Sequence, residues 1–338
     1  MSTTGTTSPL RRLVLLGSDE IALPAFRAAA ALPGVSIVAV YSQPDRPSGR
    51  GQEIQANAVT AWARAEGYLV RQPERLGPEH AAELGADQVD LAVVMAYGQI
   101  LKDDLLTSTR LGFVNFHGSI LPALRGATPV EAALASAWSS TGVSLQQVVR
   151  RLDAGPLHAQ ASLSVPPGEG RSALRARLGR LAGQLAEQAL PTVLRGASVP
   201  VPQDEAAASF TRRLNRQDAA LDFRVTAQAL AARIGALEGW PGSTFDHRAV
   251  TLKVGAAQAE AATVEASPGT ILDADRSGVR VACGEGVLVL QRLQRPGGKM
   301  MPVGEFLAGH PLIAGEVLPS TPMPPLVSPT PFPRPPKV

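Results

Sequence analysis

A chain of 338 residues and 35.2 kDa exceeds what one compact core usually holds and points to two domains. With 45% hydrophobic and 18% charged residues it is not a largely disordered polypeptide, and it contains no uncharged apolar run of the roughly 18 residues that a membrane-crossing helix needs. A formal net charge of +3 and a pI of about 9.3 allow a polyanionic partner without demanding one, and the single cysteine, Cys283, excludes an internal disulfide.

The opening "MSTTGTTSPLRR" has neither the apolar block nor the cleavage site of a secretory signal, so a cytoplasmic protein is expected. Short apolar runs then alternate with helical segments: "RRLVLLG", "EIALPAFRAAAAL", "VSIVAVYSQ", "QVDLAVVMA" and "LGFVNFHG". Near-continuous Val, Leu and Ala runs fit strands covered on both faces, and alternation with helices predicts an α/β domain, a Rossmann-like mostly parallel sheet, over residues 1–195. The loop "GSDEIALP" after the first run lacks the spaced glycines that admit a dinucleotide pyrophosphate, so NAD is not expected. Further on, "QPDRPSGRGQEI" carries Arg46 and Arg50 in a long loop after a strand. It reads either as an ordinary solvated loop or as a recognition loop, because a planar guanidinium donates two parallel hydrogen bonds to a phosphate.

In "NFHGSILPALRGATP", residues 115–129, a strand would project Asn115 and His117 to one face and Val114 and Phe116 to the other. A turn through Gly118 and Pro122 follows, then a helix starting at Thr128 with Pro129 in its first turn and Glu131 completing a capping box. Polar residues at the C-terminal end of a parallel strand lie where open α/β sheets bind ligands. They read either as satisfied polar groups at a strand end or as part of a reactive site. The stretch "TGVSLQQVVRRLDAG", residues 141–155, looks like a strand ending in a turn at Asp153, a carboxylate able to orient an imidazole or accept a proton.

Residues 196–209, "GASVPVPQDEAAAS", read as a linker. A helix "TAQALAARIGAL" and short β-type runs split by Gly and Asp turns then predict a small OB-like β-barrel over 210–317, with Cys283 in its core. Arg212, Arg213, Arg216, Arg248, Lys253, Arg292, Arg295 and Lys299 could together form a track for an RNA backbone. Residues 318–338 are proline-rich and read as a mobile tail, too rich in proline to pack. His80, His158, His247 and His310 show no metal-ligand spacing, and no metal is expected.

Taken together, "SQPDRPSGRG", "VVMAYGQIL", "NFHGSILPALRGATP", "TGVSLQQVVRRLDAG", "PVPQDEA" and "WPG" closely resemble the methionyl-tRNA formyltransferase family, collinearly from about residue 11 to 310. The resemblance implies a Rossmann-like catalytic domain, an OB-like second domain, 10-formyltetrahydrofolate as co-substrate and initiator methionyl-tRNA as acceptor, in a monomer needing no metal. By position it implies that Asn115, His117 and Asp153 are catalytic, that Ser119, Ile120, Leu121 and Pro122 contact folate, and that Arg50 engages the tRNA acceptor end; Arg46, read as a recognition residue of the same loop, is expected to bind the tRNA beside it. The chain departs from the family where lysines commonly follow "GRG", here Gln52 and Glu53, and where Asn-Pro often precedes "WPG", here Glu238 and Gly239. It also carries "LQQVVRR" where "MQMD"-like residues usually precede the aspartate, and these departures are expected to leave the trio untouched. The nearest rival reading is a formyltransferase of the same superfamily acting on a sugar-nucleotide or purine-pathway amine.

Overall fold

The computed structural model describes residues 10–48 and 53–333, and the chain divides into two compact units that interleave in sequence. The first comprises the chain up to Arg125 together with Gly142–Leu163 and Arg175–Ala208; the second comprises Gly126–Thr141, Ser164–Leu174 and the chain from Ser209.

In the first unit the strands are β1 (Arg11–Leu16), β2 (Val35–Tyr41), β3 (Arg46–Ser48), β4 (Glu53–Gln55), β5 (Val70–Arg71), β6 (Leu91–Val94) and β7 (Phe113–His117). After β8 (Arg125–Gly126) come β9 (Ser140–Gln147) and β10 (Leu157–Ser164). Seven of them form one sheet in the order β5-β2-β1-β6-β7-β9-β10, with β5, β2, β1, β6 and β7 parallel and β9 antiparallel to β7. Leu13, Val14 and Leu15 are all fully buried, so the continuous apolar run of β1 is covered on both faces, as a parallel strand requires. The mostly parallel sheet expected from the alternation of apolar runs and helices is thus present.

Helices α1 (Leu23–Ala31), α2 (Ala58–Ala65), α3 (Pro78–Ala86) and α4 (Asp103–Leu106) follow β1, β4, β5 and β6. Asn57 caps α2 by accepting from the Thr60 amide at 3.0 Å. Trp62 of α2 is buried against Phe26 and Tyr68, with ring centroids 6.4 and 5.5 Å away. Strand order reverses between β1 and β6, and the loops leaving those strands open the crevice in which such sheets hold ligands. Gly17, at the end of β1, has room for no side chain because a Cβ would lie 2.8 Å from the Met95 carbonyl. A backbone approach across the sheet, rather than a phosphate, accounts for this lone glycine.

Of residues 196–209, read as a linker, 196–208 belong to the first unit and are fastened to it, and Ser209 begins the last segment of the second. Arg125, 1% exposed, donates from Nε and Nη2 to Gln203 at 3.1 and 2.8 Å, and from Nη1 and Nη2 to the two oxygens of Glu205 at 3.0 Å each. Arg151 reaches the same carboxylate at 2.6 Å. These two guanidinium groups lower the Glu205 carboxyl to about 2 through hydrogen bonds first and charge second.

The second unit contains α5 (Pro129–Ala135), the start of α6 (Arg171–Leu194), β11 (Phe210–Thr211), α7 (Ala227–Ala236), β12 (Ser243–His247), β13 (Val250–Glu260), β14 (Ile271–Ala274), β15 (Val279–Ala282), β16 (Val287–Gln294), β17 (Met301–Pro302), α8 (Val303–Gly309) and β18 (Val327–Ser328). Its six-stranded antiparallel sheet runs β12-β13-β16-β15-β14, with β17 also on β16, over a core that includes Phe223, Leu230, Leu252, Leu290 and Phe306. The expected OB-like barrel is not formed: among the described residues β12 and β14 remain separate edges and the sheet does not close. Short strands divided by Gly and Asp turns specify antiparallel neighbours, whereas closure depends on tilt and stagger that the turn residues leave open. Cys283 is a core residue, as expected, and burial pushes its thiol up to about 11.

Two local expectations are overridden by longer-range contacts. Thr128 precedes α5 as predicted, but its hydroxyl donates to the Arg212 carbonyl at 2.8 Å instead of closing a capping box, and buried Glu131 faces Arg171 at 3.9 Å. Within the proline-rich stretch 318–338, expected not to pack, residues 318–333 bury Leu318 and Leu326 and pair β18 with β11, while 334–338 lie outside the described residues. Thr321 donates to the Leu221 carbonyl at 2.9 Å, and Arg233 donates to the Pro324 carbonyl at 3.2 Å. Prolines bring no N–H that needs a partner, so an extended segment can lie on a surface while its leucines and remaining amides make the attachments.

Asp218, fully buried, is enclosed by Arg212 at 2.6 and 2.9 Å, Arg233 at 3.8 Å and the Asn215 amide at 2.7 Å. Asp218→Ala strands two guanidinium groups around a void and should destabilise the second unit by about 3–5 kcal/mol, read by urea unfolding of the full chain. The Glu205 carboxyl is lowered in the folded state, so the stability it contributes is full above its free value and fades as pH falls toward about 2. Glu205→Gln should therefore flatten the loss of thermal stability below about pH 4.5, measured by melting temperature against pH.

Candidate active site

Strand β7 delivers Asn115 and His117 at its C-terminal end, and β9 runs antiparallel beside it with Asn115 opposite Gln146 and His117 opposite Ser144. Directly opposed residues of an antiparallel pair share a face, so four polar side chains stand together on one side of the sheet. His117 is buried, and its Nε2 lies 3.0 Å from the Leu124 carbonyl. A carbonyl oxygen only accepts, so Nε2 carries a proton and Nδ1 is the nitrogen left for chemistry. Asn115 is half-buried, and its amide makes no hydrogen bond among the described residues. That leaves it unlike a strand-end amide occupied in holding the fold.

Asp153 reaches this face from the turn after β9. Its Oδ2 lies 3.8 Å from His117 Nδ1, and its Oδ1 accepts from Gln146 Nε2 at 3.0 Å. The turn is shaped for this: Asp153 adopts φ +47°, and a Cβ at Gly155 would overlap the Gln147 carbonyl. Gln203 holds the turn from outside by donating to the Asp153 and Gly155 carbonyls at 2.9 and 2.7 Å. Gln203 in turn is gripped by Arg125. Structure therefore brings together Asn115, His117 and Asp153, three side chains from two separated segments. Gln146, in the "LQQVVRR" stretch that was expected to leave the trio untouched, bonds directly to Asp153.

Ser119, Ile120, Leu121 and Pro122 form the loop leaving β7, with a cis Leu121–Pro122 peptide. Ser119 donates to the Ala123 carbonyl at 2.6 Å, Ser144 donates to the Ser119 carbonyl at 2.7 Å and accepts from the Leu121 amide at 2.9 Å, and Gln160 donates to the Leu121 carbonyl at 2.9 Å. Most polar groups of the loop are thus engaged in setting its own shape, while the Ile120 and Pro122 side chains remain half-buried. Arg46 lies in the β3–β4 hairpin and pairs with Glu74 at 3.0 Å, both largely exposed, so the guanidinium is held by an interaction worth little. Arg50 lies outside the described residues. Of the cations considered for an RNA track, Arg212 is spent on buried Asp218 and Arg248 is paired with Glu316, whereas Arg216 and Lys299 are exposed.

Sequence reasoning passed over Gln146, Gln203 and Arg125. A signal for the first existed: in "GVSLQQ", a polar amide follows Leu145 within an otherwise buried strand, and Gln146 is 2% exposed. Among the described residues no group of three or more His, Cys, Asp or Glu is arranged to hold a metal ion, and no helix is long and apolar enough to cross a membrane.

Residues 14–194 match the family model described as formyl transferase, and residues 213–311 match the formyl transferase C-terminal domain. A methionyl-tRNA formyltransferase from Burkholderia thailandensis is 38% identical over 315 residues, covering 90% of this chain and 96% of that protein. One from Halorhodospira halophila is 38% identical over 305 residues, covering 90% and 98%. Among solved structures, an N-formyltransferase from Helicobacter canadensis in complex with folinic acid and dTDP-3-aminofucose superposes with a TM-score of 0.64, covering 85% of this chain and 100% of that one at 14% identity. HypX from Aquifex aeolicus in complex with tetrahydrofolic acid gives 0.58, covering 89% and 47% at 14% identity. The two structures, at that identity, speak to the fold; the two relatives and both family matches, spanning nearly the whole chain, place it in the methionyl-tRNA formyltransferase family.

Proposed function

We propose that the chain transfers the formyl group of 10-formyltetrahydrofolate to the amino group of methionyl initiator tRNA, in the cytoplasm, and that Asn115, His117 and Asp153 carry the chemistry. The observation behind this reading is the approach of His117 and Asp153 to 3.8 Å beside an uncommitted Asn115 amide on one sheet face. Attack by the neutral amine on the formyl carbon forms the new C–N bond and places a negative charge on the formyl oxygen. The Asn115 amide and a proton on His117 Nδ1 are the two donors for that oxyanion, while Nε2–H stays on the Leu124 carbonyl. Asp153, whose carboxylate lies 3.8 Å from Nδ1, takes the proton shed by the attacking nitrogen, directly or through one water. Collapse of the intermediate then restores the carbonyl and breaks the bond to the folate nitrogen, which leaves with the proton that Asp153 had taken up.

The co-substrate belongs in the crevice at the ends of β1 and β6, beside the 119–122 loop, with Ile120 and Pro122 offering apolar contact to a flat heterocycle. Arg46 and Arg50 would meet the acceptor end of the tRNA, and Arg46 is freed from Glu74 at little cost. At 38% identity over 90% of the chain, the tRNA-directed relatives support this acceptor over an aminosugar nucleotide.

Formyl transfer by the purified protein to charged initiator tRNA, compared with aminosugar nucleotides, tests the acceptor; turnover of the sugars alone would refute it. In single-turnover experiments His117→Ala and Asp153→Asn should each slow the chemical step by roughly 10²-fold or more while folate and tRNA dissociation constants stay within a few-fold. Rates near wild type in both would remove the trio from the mechanism. Asn115→Ala should lose about 3–4 kcal/mol of barrier stabilisation with an unchanged melting temperature. A large drop in melting temperature with a proportionate loss of rate would instead make Asn115 a structural residue.

A further inference from the structure

We infer that Gln146 is a positioning residue for formyl transfer, fixing the Asp153 carboxylate so that one oxygen is turned toward Nδ1 of His117; the inference rests on the catalytic reading of Asp153 given above. A carboxylate oxygen only accepts, so the 3.0 Å contact orients the Gln146 amide unambiguously, with Nε2 on Asp153 Oδ1. The same carboxylate then presents Oδ2 to the imidazole. Gln203 holds the backbone carbonyl of Asp153, whereas Gln146 bonds to the carboxylate itself and so restrains its rotation about the side-chain bonds.

Packing by itself does not account for an amide here. Gln146 is 2% exposed in a strand whose Val143 and Leu145 are fully buried, and its Oε1 is buried with no hydrogen-bond partner among the described residues. An apolar side chain of equal length would fill that space without leaving a carbonyl unpaired. What the amide adds is the donor, aimed at a carboxylate, on the face that also carries Asn115 and His117.

The inference is tested with the full-length protein by single-turnover transfer from 10-formyltetrahydrofolate to charged initiator tRNA. Gln146→Met keeps the length and removes the donor; it should slow the chemical step about 10-fold, as expected for losing a hydrogen bond to a charged group, with folate and tRNA dissociation constants and melting temperature unchanged. Gln146→Glu keeps the shape but sets a second carboxylate against Asp153, and should be slower than Gln146→Met. Joined to Asp153→Asn, Gln146→Met should add less than about two-fold, because a residue acting only through Asp153 has nothing left to position. A wild-type rate in Gln146→Met, a Gln146→Glu variant at least as fast as Gln146→Met, or a full 10-fold added to an impaired Asp153→Asn would each overturn the inference. An Asp153→Asn variant as fast as wild type would instead overturn the catalytic reading on which the inference rests.

Discussion

Much of the first unit's site is suspended from one buried cation. Arg125, 1% exposed, grips Gln203 and Glu205, and Gln203 passes that hold to the carbonyls of Asp153 and Gly155. A guanidinium removed from water must be matched by charge and acceptors nearby, and here the match comes from a segment about eighty residues further along the chain. The segment that resembles a linker by composition is therefore the brace of the aspartate turn. Without that brace a non-glycine residue at φ +47° would relax toward commoner backbone conformations.

On this scaffold the proposed chemistry needs little additional machinery. One nitrogen of His117 is committed to the Leu124 carbonyl, which sets the ring and leaves Nδ1 facing Asp153. The loop between them and the sheet is shaped internally by Ser119, Ser144 and Gln160, so its geometry exists before any ligand arrives. A loop already held in this way gives up little conformational freedom when a ligand binds beside it.

The second unit solves a different problem. Its sheet is open, yet Phe223, Leu290 and Phe306 are buried by α7, α8 and the extended stretch that ends in β18. Cations there divide into those that stabilise the fold, as Arg212 and Arg233 do around Asp218, and those left at the surface, such as Arg216 and Lys299. Counting basic residues in a sequence merges these two groups, although only the second is available to a phosphate.

Periodicity and turn chemistry by themselves determined the parallel sheet, the shared face of Asn115 and His117, the start of α5 at Thr128 and the burial of Cys283, because each is decided among neighbours a few residues apart. Tertiary structure alone decided that Asp153 meets His117, that Gln146 and Gln203 hold it, that Thr128 spends its hydroxyl on Arg212, that the second sheet stays open and that a proline-rich stretch packs. Each of these depends on which distant segment supplies a partner for a buried polar group or an apolar side chain. The sequence names the groups that need partners, but only chain crossings many residues apart say where those partners come from.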